Sequence, residues 1–366
     1  MAMTTIRQAI NMGATTVLCA RGVYHNPPAV AMTNRHGKKL SIMPYESSTY
    51  DATNSPDRPL VHFVCATELD ELVESNGILT QALGVNSHLR EVFIDKTRNP
   101  IDTNNTRSAG YYSTIWQMHN DETLDAKLKP VLTLTECQEE AGTFFYDGTT
   151  VYINPFATAY TKFMIPDGID PLRLTGYSEV VLHDIRIDFG YASNFNLTNN
   201  MNMTIKNCHS KYTMLSDGFC LDNSNCNLYN CSAFKSRNDG FNIHTYGESN
   251  FYNCVGYYNY DDGISHHDGC IGIIDGGEWH HNGKGGISSP TYGSYVDIYN
   301  VYCHHNNYGV YGASDGGHRP CKSRIFNSVL LDNNSADLML VHIEAKVYNT
   351  KYVTKHEGTN TTLIEL

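Results

Sequence analysis

The sequence predicts an all-β chain wound as a β-solenoid, and three observations carry that reading. Short segments between Val180 and Thr354 can be laid over one another: VVLHDIRI, TIKNCHS, NLYNCSA, NFYNCVG, DIYNVYC, RIFNSVL and KVYNTKY. Asn207, Asn230 and Asn253 recur every 23 residues, and Asn300, Asn327 and Asn349 continue the series, with Gly276 at the step that lacks its asparagine. A second register, in SDGFCL, NDGFNI, DDGISH, KGGISS and NYGVYG, sets Gly218, Gly240, Gly263, Gly286 and Gly309 at steps of 22, 23, 23 and 23. Self-similarity at roughly 20 to 30 residues, in short β-rich segments without a helical period, is the mark of a solenoid.

Taken in order, the chain reads as one domain over residues 1–366: cap and first coils to 65, an insertion over 66–140, regular coils over 141–354 and a tail over 355–366. Thr4 to Met12 has a capping-type threonine start with Ile6 and Ile10 on one face, which predicts a short amphipathic helix. Such a helix would cap the open end of the stack. ATTVLCARGVYHN reads as a strand, a turn at Gly22 and a return through Tyr24. AVAMTNRHGKKLSIMPYES supplies two strands around Gly37, and PLVHFV one more. TELDELVESNGIL, with its acidic start, predicts a helix, and DKTRNPIDTNNTRSAGYYS a polar, turn-rich stretch. Trp116 and His119 are candidates to line a groove. GTFFYDGTTVYINP predicts a hairpin across Asp147-Gly148. Regular coils begin at Pro171. In each, alternating runs such as Phe219-Cys220-Leu221 point every second side chain inward. Coils about 4.8 Å apart turn equivalent residues into ladders: asparagines at 207, 230 and 253, and inward, buried thiols at Cys208, Cys231 and Cys254. Gly after Asp predicts a positive-φ turn. The tail HEGTNTTLIEL closes the stack.

Composition excludes several classes. A net charge of −12 with 17% charged residues argues against nucleic acid or an anionic membrane as partner. No apolar run approaches the roughly 20 residues of a membrane span. The first residues, MAMTTIRQAINMG, lack the pattern of a signal peptide. An extracellular or virion-surface location is nevertheless the expectation for this kind of chain, and a monomer or homotrimer the expected assembly. Eleven cysteines would suggest disulfides in a secreted chain, but the inward ladder positions of several predict free thiols instead.

Chemistry concentrates on three coils. Asp217, Asp239 and Asp262 share a column, each directly before its glycine. Cys220, Asn242, Ser265 and Ser288 follow two positions after that glycine, and Asp222, His244, His267 and Pro290 four positions after it. Alternation turns both of these columns outward. Asp261 doubles the carboxylate at the central coil and Asp268 follows His267. Like charges one coil apart repel unless a proton or cation relieves them, so the candidate catalytic residues are Asp239, Asp261, Asp262, His244 and His267. Asp222, Arg237, Asn242, Tyr246, Lys284 and Tyr311 are the candidates for substrate contact. The pairs His280-His281 and His304-His305 read as turn and ladder residues.

These ladders resemble those of the single-stranded, right-handed parallel β-helix of the pectate-lyase-like superfamily. NDGF at 238–241 followed by Asp261-Asp262 looks like the carboxylate arrangement of polygalacturonase-type hydrolases, which implies Asp239, Asp261 and Asp262 as catalytic groups. His281 stands near the place of that family's histidine, without its flanking glycines, and the family's R-x-K motif does not follow. The same segment resembles calcium-binding pectate lyases, with Ser265 where a further aspartate belongs and Asp268 as the substitute. GFNIH at 240–244 is similar to the GFDPH motif of alginate epimerases. The resemblance implies a polysaccharide or oligosaccharide substrate, with no cofactor required and calcium as the metal the cluster could take. A glycoside hydrolase is favoured. The alternatives are a lyase or uronate epimerase working through His244 or His267, and a non-catalytic carbohydrate-binding or tail-spike-like module.

Overall fold

The computed structural model describes residues 3–25, 30–32, 37–44, 61–83, 115–156, 162–289, 293–313 and 321–366. The polar stretch 95–113, together with Pro290 and Tyr292, lies outside the described residues. The chain forms two compact units, one of Met1–Val64, Asp170–Asp188 and Ala192–Leu366, the other of Cys65–Ile169 and Phe189–Tyr191.

The larger unit is a parallel β-helix. Its coils feed three parallel sheets: sheet 1 has 11 strands from Thr16–Cys19 to Thr362–Glu365, sheet 2 has 9 from Gly22–His25 to Val329–Leu331, and sheet 3 has 10 from Val30–Met32 to Lys355–Glu357. Register holds from coil to coil, as in Phe219 beside Phe241 beside Ile264. That alignment brings like against like in the core. The rings of Phe195, Phe219 and Phe241 stack at 4.4 and 4.8 Å. Cys208, Cys231 and Cys254 are buried, and all eleven cysteines are free. Burial pushes the Cys208 thiol up to about 12, which keeps it protonated and inert.

The corner between sheets 1 and 2 requires one residue in the left-handed region. Asp184, Asn207, Asn230, Asn253, Asn300, Asn327 and Asn349 fill it with φ from 42° to 55°, and Asp and Asn are the side chains that tolerate it best. Their amides also bridge coils: Asn207 Nδ2 donates to Asp184 Oδ1 at 2.9 Å, and Asn230 Nδ2 to Asn207 Oδ1 at 3.3 Å. The glycine register has a different cause from the expected one. Gly218, Gly240 and Gly263 do not adopt positive φ; a Cβ on each would lie 2.5–2.6 Å from the carbonyl oxygen of the glycine one coil on. Close approach of backbone, and not turn geometry, excludes a side chain there.

A second asparagine ladder, unforeseen in the sequence, is buried at the corner between sheets 2 and 3. Asn259 Nδ2 donates to Asn282 Oδ1 at 3.0 Å and Asn282 Nδ2 to Asn306 Oδ1 at 2.9 Å. Each Oδ1 also accepts the backbone N–H of the preceding coil's asparagine, at 3.1 and 3.0 Å. The N-terminal helix forms over Met3–Asn11 with Ile6 and Ile10 buried. At the other end, Thr362–Glu365 and Lys355–Glu357 close sheets 1 and 3 by pairing onto Ile343–Tyr348 and Ala336–Val341.

The smaller unit contains two sheets, of 4 and 5 strands. Its core includes Leu69, Leu79, Ile115, Phe144, Ile153 and Phe163. The expected hairpin forms, with Phe145 opposite Tyr152 and Asp147 Oδ1 accepting the N–H groups of Thr149 and Thr150 at 2.8 Å. The expected helix over TELDELVESNGIL does not. That segment gives strands Ala66–Leu69, Val73–Ser75 and Ile78–Ala82, the last two joined across Asn76 and Gly77 at φ 52° and 80°. An Asn-Gly pair in a two-residue loop is a strong hairpin signal, and it outweighs the acidic start. Trp116 and His119 are both buried, and Trp116 packs edge-on against Phe189.

Candidate functional site

The aspartate column stands where the chain enters sheet 3, and there each carboxylate gives its two oxygens different work. The Oδ1 of Asp217 accepts the backbone N–H of Asp239 at 3.2 Å, that of Asp239 accepts from Asp262 at 3.0 Å, and that of Asp262 from Gly285 at 2.7 Å. This is structural: one oxygen per coil ties the turn above to the turn below. Gly285 ends the column because a Cβ there would lie 2.9 Å from Asp262 Oδ1.

The Oδ2 atoms are what remain for chemistry. Asp239, Asp261 and Asp262 each offer an oxygen within 4.8 Å of the other two. Asp239 and Asp262 are 2% and 1% exposed, whereas the Asp261 side chain is 33% exposed. Burial, reinforced by the Asp217 carboxylate, pushes Asp239 up to about 8. Burial and then the neighbouring Asp239 push Asp262 up to about 7, against the pull of Lys284. Lys284 Nζ lies 3.5 Å from Asp262 Oδ2 and 3.6 Å from Asp261 Oδ2. Burial would lower its pKa, but those two carboxylates hold it above the ordinary value. The cluster thus has a counter-ion of its own.

A hydroxyl connects the carboxylates to the histidines. Ser265 Oγ donates to Asp239 Oδ2 at 2.6 Å and lies 3.0 Å from His267 Nε2. It also stands 3.3 Å from Asn242 Oδ1, so its proton can turn there when Asp239 carries one. His267 Nε2 is 4.0 Å from Asp239 Oδ2. Burial lowers the His267 pKa, opposed by the charges of Asp262 and Asp268. His244 stacks on His267 with ring centroids 4.5 Å apart and 8° between planes, as one coil of register demands. Its Nδ1 lies 3.0 Å from Asp268 Oδ2.

The structure therefore brings Asp239, Asp261, Asp262, His267, Asn242 and Lys284 together, with His244 one stack away. Tyr311 is drawn in by Lys284, whose Nζ stands 5.0 Å over its ring. Arg237 lies 4.2 Å over the ring of Tyr260. Asp222 precedes His244 in register, a coil further from the trio. Tyr246 is 74% exposed in the turn beyond His244, separated from the carboxylates by the length of the strand. Asp268 pairs with His244 instead of joining the trio, so it does not fill the place of the missing calcium ligand. Ser265 as the bridge between carboxylate and imidazole was within reach of the sequence, since its column was visible; the division of labour between Oδ1 and Oδ2 was not.

No family model matches the chain, and no curated protein matches it. Among solved structures it is similar to the mannuronan C-5 epimerase AlgE6 A-module of Azotobacter vinelandii, at 17% identity and a TM-score of 0.42 over 52% of this chain and 68% of that one. It is also similar to a structure described as a glycoside hydrolase, at 9% identity and a TM-score of 0.39 over 99% of this chain and 92% of that one. The class of the molecule rests on its own coordinates: it is a parallel β-helix protein.

Proposed function

We propose that the chain is a carbohydrate-active enzyme that hydrolyses glycosidic bonds in a polysaccharide, with the aspartate trio as its catalytic centre. One observation carries the reading. Two buried carboxyls whose pKa values are raised to about 8 and about 7 stand beside a third that is open to solvent. Near neutral pH the buried pair retains a proton, which is the donor a leaving glycosidic oxygen needs. Asp261 is the carboxyl that faces the sugar, and Lys284 steadies the negative charge of the pair as the proton leaves. The trio has the geometry to hold a metal ion, with two of its six oxygens already accepting backbone N–H groups; Lys284 supplies a positive charge beside it, and the hydrolysis proposed here calls on no metal.

The stacked His244 and His267 favour a second reading, a lyase or epimerase in which an imidazole abstracts the proton α to a uronate carboxylate. A panel of neutral and acidic polysaccharides separates the two. New reducing ends without the ultraviolet absorbance of an unsaturated uronate are the expected products. In Asp262→Asn, turnover should fall by at least about a hundredfold, the lower range for a general acid–base group, with the circular dichroism spectrum unchanged. Unsaturated product, or a greater loss in His267→Ala than in Asp262→Asn, would transfer the assignment to the lyase or epimerase. Full activity in Asp262→Asn would end the hydrolase reading.

A further inference from the structure

The corner that carries the aspartate column holds a different set of side chains just ahead of it. Directly before Asn238, Asp261 and Lys284 stand Arg237, Tyr260 and Gly283, one on each of three successive coils. Backbone bonds fix the middle one: the Tyr260 N–H donates to the Ser236 carbonyl at 3.0 Å and the Asp261 N–H to the Asn238 carbonyl at 3.1 Å. On the next coil, a Cβ at Gly283 would collide with the Tyr260 carbonyl, so no side chain rises there beside the tyrosine. The ring lies back over the preceding coil, with the Arg237 guanidinium 4.2 Å from its centroid. Arg237 is 8% exposed, whereas Tyr260 is 55% exposed. One ring face is thus held on a covered cation, and the other is open to solvent.

We propose that Tyr260 is the sugar-binding platform beside the aspartate trio, and that the unit it receives is a neutral hexopyranose of an equatorially linked chain; this rests on the hydrolytic reading of the trio. A solvent-facing tyrosine is ordinary on a β protein. This one is pinned by a cation–π contact and joined by one peptide bond to Asp261, the carboxyl that faces the sugar. An aromatic ring covers the C–H face of a pyranose as it covers other apolar surface, and a ring already fixed loses little freedom in doing so. That C–H face is broadest where hydroxyls and linkages are equatorial. Charge then selects against uronates. The corner segments 236–239, 259–262 and 282–285 contain two cations, Arg237 and Lys284. The first lies under the ring, and the second stands 3.6 and 3.5 Å from Asp261 and Asp262. A substrate carboxylate set on the platform would meet Asp261 with neither cation left to receive it.

The test uses the full chain, with β-1,4-linked hexaoses of glucose and of mannose as neutral probes and hexagalacturonate as the acidic one. Calorimetry on Asp262→Asn, in which cleavage is suppressed, should show saturable binding of at least one neutral hexaose and weaker binding of hexagalacturonate. Adding Tyr260→Ala should weaken the neutral binding by about tenfold, the worth of roughly one buried ring face, while Tyr260→Phe should retain it. In the cleaving parent, Tyr260→Ala should raise KM by a similar factor and leave kcat within about twofold, the pattern of binding shared by ground and transition states. Tyr260-dependent binding in a chain that cleaves neither neutral hexaose would keep the platform and end the hydrolase reading. Cleavage by Tyr260→Ala with the parent's KM would keep the hydrolase and remove the platform. Unchanged affinity in folded Tyr260→Ala, hexagalacturonate bound as tightly as the neutral probes, or no saturable binding of any probe would overturn the proposal.

Discussion

A carboxylate buried among carboxylates must be either neutralised or protonated, and Asp239 illustrates the second course. Its pKa is raised in the folded state, so folded protein holds a proton that unfolded protein releases between about pH 4 and about pH 8. Its contribution to stability is complete at the acid end of that window and is lost as pH rises through it. Asp239→Asn keeps an oxygen for the Asp262 N–H and has no charge to bury. We expect parent and variant to be equally stable near pH 4, and the variant to gain several kcal/mol by about pH 8.5, at roughly 1.4 kcal/mol per pH unit across that window. Denaturant melts across that range measure it, and a constant difference between the two would contradict it. The raised pKa was legible in outline, because three stacked aspartates announce repulsion. What the sequence could not convey is that one oxygen of each is already spoken for by backbone, since Asp-Gly reads as a turn whichever atom it uses.

At the scale of the element, the ladders differ in what they bear. The Asn207, Asn230 and Asn253 column stands at an open corner, and its visible 23-residue period made it the first feature to emerge. The ladder through Asn259, Asn282 and Asn306 is buried, and each amide there satisfies both a neighbouring side chain and sheet backbone, as Asn282 Nδ2 does with the Gly256 carbonyl at 2.9 Å. Asn282→Ala would take the Oδ1 acceptor from both the Asn259 backbone N–H and the Asn259 side-chain amide at once. The expected cost is about 2–4 kcal/mol, against about 1 kcal/mol or less for Asn230→Gly, which keeps the left-handed turn and whose partners can turn to water. Comparing the two melts decides it; equal costs would mean that the buried ladder is not what holds this corner. Its period escaped notice because Ser236 interrupts it on one side and longer steps follow on the other. Local turn chemistry misled in the opposite way over 67–79, where an acidic, Leu-rich run masked an Asn-Gly hairpin.

For the molecule as a whole, the repeating coils were plain in the sequence because each residue meets its equivalent one coil on, and periodicity is what a string of letters displays. The smaller unit had no such period. Two of its strands pair across 94 to 100 residues, as Leu69 with Phe163 and Ala66 with Pro166 show, and nothing local records a partner so distant. In the larger unit, every column depends on phase. The chain acts as a screw thread, on which a whole pitch can be removed harmlessly while a fraction of one cannot. Phe326 and Tyr348 occupy the same position on successive threads, so excising residues 327–348 would join Phe326 to Asn349 and leave the aspartates aligned. Removing Asn227 alone would rotate everything beyond it by one side chain and turn the core of the next strand outward. We expect the first deletion to yield a folded, shorter chain with any polysaccharide-cleaving activity retained, and the second to yield aggregate. A family built on this plan can lengthen or shorten by whole coils over evolutionary time, but it has little tolerance for the commonest small error of replication.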